Sequence, residues 1–129
     1  MKRILLDTHA FLWFIYDDPR LSSAAAASIE NPEIEKVFSI ASVWEIAIKH
    51  QIGKLELGME FDAFVREYLL ESAIQLIPVS VVHLIAYSDL PLLHRDPFDR
   101  LLIAQSQVLK VPIVTVDSRI AAYDIPVVW

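Results

Sequence analysis

Short apolar runs alternate with helical patterns along the chain, and this alternation constrains the fold more than any other feature. The apolar runs predict strands at residues 3–6, 37–40, 75–78, 112–116 and 127–128. The segments between them predict helices at residues 10–16, 22–29, 43–51, 61–70, 81–89 and 97–109. Strands that alternate with helices are typical of an α/β fold built on a parallel sheet.

The helix predicted at residues 61–70 carries the clearest amphipathic pattern. Its large apolar residues fall at positions i, i+3, i+4, i+7 and i+8, which places them on one face of a helix. They are Phe61, Phe64, Val65, Tyr68 and Leu69. We expect this face to pack against the core.

Four carboxylates occupy positions that a soluble domain would ordinarily avoid. Asp7 and Asp117 follow apolar runs, and Glu45 and Asp99 lie among apolar residues in the first turns of predicted helices. Burying an ionised carboxylate costs several kcal/mol unless another group compensates the charge. In an open parallel sheet, ligands bind beyond the carboxyl ends of the strands. We therefore expect the four carboxylates to converge at one sheet edge and to bind a divalent cation.

Each carboxylate also has a purely structural interpretation. Ser42 and Glu45 have the spacing of a capping box, and Lys49 lies four residues after Glu45, a favourable spacing for an ion pair. Asp7 could cap the helix that follows it, and Asp117 could begin a turn. The joint pattern, rather than any single residue, favours a cation site.

The segment that contains Asp99 has a structural interpretation of its own. Asp96 suits the N-cap of a helix, Pro97 suits its first position, and Asp99 then falls in the first turn. A negative charge in the first turn stabilises a helix by about 0.3–1 kcal/mol.

The residue types restrict the choice of metal. The chain has no cysteine, and its four histidines lack the spacing of a histidine-based zinc site. Hard oxygen ligands favour Mg²⁺ or Mn²⁺ over zinc. We interpret His94 as either a substrate contact or, more simply, a surface histidine.

Composition excludes several classes of function. The 129 residues suit one domain, 1–129, and the only glycines, Gly53 and Gly58, cannot form a phosphate-binding glycine loop. The formal net charge of −6 argues against a broad basic surface for nucleic acid, although a bound cation inverts the sign of an acidic pocket locally.

The apolar composition and the N-terminus predict partners and a compartment. Hydrophobic residues make up 55% of the chain, which favours an oligomer or partner interface. No apolar run has the length of a membrane span, and the N-terminus lacks the apolar region of a signal peptide. We therefore expect a cytoplasmic protein.

Four ordered segments make the sequence resemble a PIN-domain ribonuclease, and within that group the VapC-like toxins of type II toxin–antitoxin pairs. They are Ile-Leu-Leu-Asp-Thr-His at 4–9, Ser-Val-Trp-Glu at 42–45, His-Arg-Asp-Pro-Phe-Asp-Arg-Leu-Leu-Ile-Ala-Gln at 94–105 and Val-Thr-Val-Asp at 114–117. The resemblance covers almost the whole chain. It implies a three-layer α/β/α fold with a central parallel sheet.

The resemblance also implies a set of catalytic, metal-binding carboxylates that hold Mg²⁺ or Mn²⁺. They are Asp7, Glu45, Asp99 and Asp117. Asp96 is either a fifth acidic member or the cap of its helix.

Further residues match supporting positions of the family. Thr8, Ser42 and Thr115 would support the carboxylates, and Arg100 would neutralise the acidic cluster or contact a phosphate. The implied activity is metal-assisted endonucleolytic hydrolysis of RNA phosphodiesters. The implied partners are the RNA substrate, a cognate antitoxin and a second copy in a homodimer.

Two other functions fit parts of the pattern. The first is a catalytically silent PIN-like module that binds RNA or protein. The second is a Mg²⁺-binding phosphoacceptor signalling domain, which needs an aspartate at the end of a central strand. The predicted strands at 37–40 and 75–78 end in no aspartate, which argues against the second function.

Overall fold

A parallel five-stranded sheet forms the centre of the protein in a computed structural model, which describes residues 2–129. The strands lie in the order β3-β2-β1-β4-β5, and every neighbouring pair is parallel. Their bounds are β1 Lys2–Leu6, β2 Ile34–Ser39, β3 Gln75–Ile77, β4 Ile113–Val114 and β5 Val127–Val128. The predicted parallel α/β fold is confirmed.

Seven α-helices connect the strands. They are α1 Thr8–Ile15, α2 Ser23–Glu30, α3 Ile40–Gln51, α4 Phe61–Val65, α5 Val81–Ser88, α6 Pro97–Leu109 and α7 Ser118–Ala121. None of these helices, within residues 2–129, has the length and apolar character needed to cross a membrane.

The alternation of side chains along β1 explains why the sheet needs a helical layer on each face. Ile4 and Leu6 point into one core and Leu5 into the other, and all three are almost completely buried. The first core contains residues of α1, α2, α3 and α4, and the second contains residues of α6 and α7, with α5 packed at its edge. This confirms the three-layer α/β/α arrangement.

The structure confirms the buried face predicted for residues 61–70 but not a continuous α-helix over these residues. The helix α4 ends at Val65, and Arg66–Leu70 forms a π-helical turn. Phe64 and Leu69 are buried in the first core, and the other residues of the predicted face pack against the same core half-buried.

The start of α3 differs from the prediction. The helix begins at Ile40 rather than at residue 43, because the Ser39 side chain caps it by accepting a hydrogen bond from the backbone N–H of Ala41 at 3.1 Å. Ser42 is therefore inside the helix, and the predicted capping box between Ser42 and Glu45 is wrong.

The strand order places a topological switch point between β1 and β4. The chain leaves β1 towards β2 on one side and returns to β4 on the other, so a crevice opens beyond the carboxyl ends of β1 and β4. The backbone N–H of Asp7 donates to the carbonyl of Val114 at 3.2 Å across this boundary. Asp117 lies three residues beyond the end of β4, a strand shorter than predicted.

Candidate metal centre

Asp7 lies at the switch point, between β1 and α1. One carboxylate oxygen, Oδ1, caps α1 by accepting a hydrogen bond from the backbone N–H of Ala10 at 2.6 Å. The residue is only 4% exposed, and burial raises the pKa of its carboxyl above the ordinary value, although the Thr115 side chain and the Ala10 N–H partly offset the rise. Asp7 therefore serves as a helix cap and as a buried carboxylate at once.

Glu45 reaches the same edge from the second turn of α3. Its Oε1 accepts a hydrogen bond from the Thr8 hydroxyl at 2.7 Å, and its Oε2 pairs with the Lys49 ammonium at 2.8 Å. Both contacts fix the direction of a carboxylate that is 3% exposed. The predicted ion pair between Glu45 and Lys49 is present.

Asp99 lies in the first turn of α6. Asp96 caps this helix by accepting the backbone N–H of Asp99 at 3.0 Å, as its sequence position predicts. Burial, together with the charges of Asp96 and Glu45, raises the pKa of the Asp99 carboxyl to about 6, although the contact with His94 opposes the rise.

Asp117 caps the short helix α7 and forms a salt bridge with Arg119. Its Oδ1 accepts from the backbone N–H and the Nε of Arg119, at 2.9 and 3.1 Å, and its Oδ2 pairs with the same guanidinium at 3.1 Å. Burial tends to raise the pKa of Asp117, but the bonds from Arg119 lower it below the ordinary value. The Thr115 hydroxyl accepts the backbone N–H of Asp117 at 3.0 Å.

His94 belongs to the site, and sequence reasoning missed it. It is 6% exposed, and its Nε2 lies 2.8 Å from Oδ2 of Asp99. Ligand atoms of His94, Asp99 and Asp117 all lie within 4.8 Å of one another. The available signal was its place at the start of the segment 94–105, but the charged residues Arg95 and Asp96 that follow it suggested an exposed position.

The four predicted carboxylates share one electrostatic environment without all touching. The charge of Asp117 raises the pKa of Asp7, and the charge of Glu45 raises that of Asp99. Within residues 2–129, however, neither Asp7 nor Glu45 belongs to a group of metal-ligating atoms as close as the one around Asp99.

The donor set fits a hard divalent cation. Within residues 2–129, neither Asp7 nor Asp99 forms a salt bridge with lysine or arginine, and burial is the main reason that the pKa of each carboxyl is raised. A divalent cation would compensate the charge of the ionised carboxylates. The buried hydroxyl of Ser42, three residues before Glu45 on α3, has no hydrogen-bond partner within residues 2–129. Carboxylate and hydroxyl oxygens are ligands that suit Mg²⁺ or Mn²⁺.

Arg100 departs from its predicted role. Its guanidinium donates to the carbonyl of Pro91 at 3.0 Å and to the hydroxyl of Tyr123 at 3.1 Å, and it lies over the ring of Tyr87 at 4.7 Å. None of its hydrogen bonds goes to a carboxylate of the cluster, and the residue is 5% exposed. Arg100 therefore holds the segment before α6 in place, whereas the guanidinium of Arg119 is exposed and pairs with Asp117.

We expect the metal-free protein to become less stable as pH rises from about 4 to above 6. The pKa values of Asp7 and Asp99 are higher in the folded than in the unfolded chain, so the folded chain binds more protons in this window. The midpoint of thermal unfolding in EDTA should fall between pH 5 and pH 7.5, and saturating Mg²⁺ should reduce the difference. A midpoint that rises over this range would contradict the electrostatic description of the site.

Comparisons with known proteins agree with the fold. The sequence profile of the PIN domain family matches residues 4–126. A comparison with curated proteins gives no match.

Solved structures share the fold at low sequence identity. A chain of VapBC2 from Rickettsia felis, in a complex bound to a DNA fragment from their promoter, has a TM-score of 0.73 at 13% identity, over 97% of this chain and 96% of that chain. A chain of a toxin–antitoxin complex from Klebsiella pneumoniae has a TM-score of 0.68 at 16% identity, over 98% and 96%. A chain of FitAcB from Neisseria gonorrhoeae has a TM-score of 0.66 at 18% identity, over 96% and 95%.

Proposed function

This chain belongs to the PIN-domain family, and on that premise we propose that it is a Mg²⁺- or Mn²⁺-dependent endoribonuclease, the toxin of a toxin–antitoxin pair. One observation carries the proposal. Two carboxylates with raised pKa values, the buried Asp7 and the half-buried Asp99, lie at the edge of the sheet without a lysine or arginine partner within residues 2–129. Such an arrangement is unfavourable for the free protein and favourable for a protein that binds a cation.

The residues that would hold the metal are Asp7, Glu45, Asp99 and Asp117. They come from four separate elements, so the folded chain presents oxygen ligands from several sides. The chemistry that a divalent cation supplies, when bound, is activation of water and neutralisation of the charge that develops on a phosphate. Asp96 is left as a helix cap whose charge strengthens the local negative potential.

The remaining polar residues orient these ligands. The Thr8 hydroxyl and the Lys49 ammonium hold the two oxygens of Glu45, and the Thr115 hydroxyl holds the backbone at Asp117. Arg119 is an exposed cation that pairs with Asp117 at 3.1 Å, and we assign to it the phosphate contact that the sequence suggested for Arg100. Its guanidinium can exchange Asp117 for a phosphate of the RNA.

The partner proposal draws on the solved relatives and on an exposed apolar surface. The relatives in Klebsiella pneumoniae and Rickettsia felis were solved as toxin–antitoxin assemblies. In this chain several large apolar side chains on α5 and the segment after it are exposed: Val81, Val82, Leu84, Ile85, Leu92 and Leu93. We propose that residues 1–129 act as one cytoplasmic domain that uses such surfaces to bind an antitoxin and a second copy of itself.

The decisive experiment is cleavage of a structured RNA pool by purified, partner-free protein in Mg²⁺, in Mn²⁺ and in EDTA. We expect cutting in either metal and none in EDTA. Asp7→Asn, tested in parallel, should remove the activity because asparagine can still cap α1 but carries no charge to bind a cation. If the wild type binds metal and still leaves every RNA intact, the silent PIN-like module becomes the better description.

A further inference from the structure

We propose that His94 is a positioning residue, which fixes Asp99 for cation binding by donating a hydrogen bond to it and does not itself bind the metal. This inference rests on the proposed function, because it concerns the same site. It follows from the hydrogen bonds made by the two ring nitrogens of His94 and from the network that holds its backbone.

The first step is the position of the ring proton. The backbone N–H of Arg95 donates to Nδ1 of His94 at 3.0 Å, so Nδ1 presents a lone pair and carries no hydrogen. The ring proton is therefore on Nε2, which lies 2.8 Å from Oδ2 of Asp99. A protonated nitrogen has no lone pair left for a metal, so in this arrangement Nε2 is a donor to the carboxylate.

The second step is the rigidity of the segment that carries His94. The hydroxyl of Tyr123 accepts the backbone N–H groups of Leu93 and His94, at 3.2 and 3.0 Å, and donates to the carbonyl of Pro91 at 2.8 Å. Arg100 donates to the same hydroxyl at 3.1 Å. Tyr123 is 3% exposed, so these bonds are shielded from competing water.

The third step is the consequence for Asp99. One carboxylate oxygen is held by His94, the backbone N–H is held by Asp96, and the other oxygen, Oδ1, remains for the cation. A ligand that is already oriented loses less side-chain freedom when the metal binds. Partners that hold a metal ligand in this way typically change metal affinity about 10- to 100-fold when they are removed.

Two substitutions separate the hydrogen bond from the bulk of the side chain. His94→Gln retains an amide N–H near the position of Nε2, whereas His94→Phe retains the planar ring without any donor. Titration calorimetry with Mn²⁺ alone should show affinity about 10- to 100-fold weaker for His94→Phe and within about threefold of wild type for His94→Gln. A role in packing alone predicts the opposite order, because phenylalanine is the closer match in shape.

Pulsed electron paramagnetic resonance of Mn²⁺ bound to the wild-type protein tests the inference without any substitution. We expect no strong coupling from a directly bound ¹⁴N. A coupling from a coordinated imidazole would overturn the inference, as would wild-type Mn²⁺ affinity in a folded His94→Phe variant. Wild-type protein that binds no Mn²⁺ would overturn the proposed function and this inference together. If the wild type cleaves RNA but shows a coordinated imidazole, or if folded His94→Phe binds Mn²⁺ as tightly as the wild type, only this inference is overturned.

Discussion

Asp99→Asn should abolish metal-dependent RNA cleavage and at the same time make the metal-free protein more stable. We expect the cleavage rate to fall about 1,000-fold or more, which corresponds to about 4 kcal/mol of lost transition-state stabilisation. Above pH 7 the free energy of unfolding in EDTA should rise by about 2–3 kcal/mol, because a carboxyl with a pKa of about 6 no longer has to ionise inside the fold.

The opposite directions of the two effects distinguish a functional carboxylate from a structural one. Asparagine keeps an oxygen for the hydrogen bond from His94, so the substitution removes charge and little else. Urea unfolding in EDTA and in Mg²⁺, alongside the cleavage assay, measures both effects. Asp89→Asn, an exposed carboxylate at the end of α5, is the matched control and should change neither quantity appreciably. Full activity in Asp99→Asn would show that the metal assignment is wrong.

Tyr123→Phe should destabilise the protein by about 3 kcal/mol, because it removes four hydrogen bonds at once. The hydroxyl of Tyr123 accepts two backbone N–H groups and the guanidinium of Arg100, and it donates to the carbonyl of Pro91. Phenylalanine fills the space of the ring but removes all four hydrogen bonds. The backbone N–H of His94 then has no other partner within residues 2–129, whereas the Leu93 N–H and the Arg100 guanidinium keep their bonds to the carbonyl of Pro91.

The measurement is the shift in the urea midpoint, with Tyr16→Phe as the matched control. The hydroxyl of Tyr16 makes one hydrogen bond, to the carbonyl of Leu57 at 2.8 Å, and the residue is 44% exposed. Its loss should cost about 1 kcal/mol, the ordinary net value of one hydrogen bond. If the two variants lose the same free energy of unfolding, the hydrogen bonds of Tyr123 together stabilise the protein no more than a single bond does.

Local sequence patterns predicted the structure correctly where it depends only on residues within one segment. The alternation of apolar runs predicted the parallel α/β fold, and the helical spacing at 61–70 predicted the buried face of that segment. The cap that Asp96 provides for α6 and the ion pair of Glu45 with Lys49 also follow from residues three or four positions apart, because those spacings are neighbours on a helix.

Predictions failed where the deciding partner is close in space but distant in sequence, or where two local signals compete. The start of α3 was misplaced because Ser39 and Ser42 are both residue types that cap helices, and in the structure Ser39 is the cap. The family resemblance assigned Arg100 to the acidic cluster, yet its shortest hydrogen bonds reach back nine residues to Pro91 and forward 23 residues to Tyr123.

The sequence by itself determined the class of the fold, the sheet edge at which the carboxylates gather, and the oxygen chemistry that suits a hard cation. Only the tertiary structure decided that His94 is buried beside Asp99, that ligand atoms of His94, Asp99 and Asp117 come within 4.8 Å of one another, and that Arg119 rather than Arg100 pairs with a carboxylate of the site. The reason is physical: periodicity and capping depend on neighbours along the chain, whereas burial and pKa depend on every group that the fold brings near.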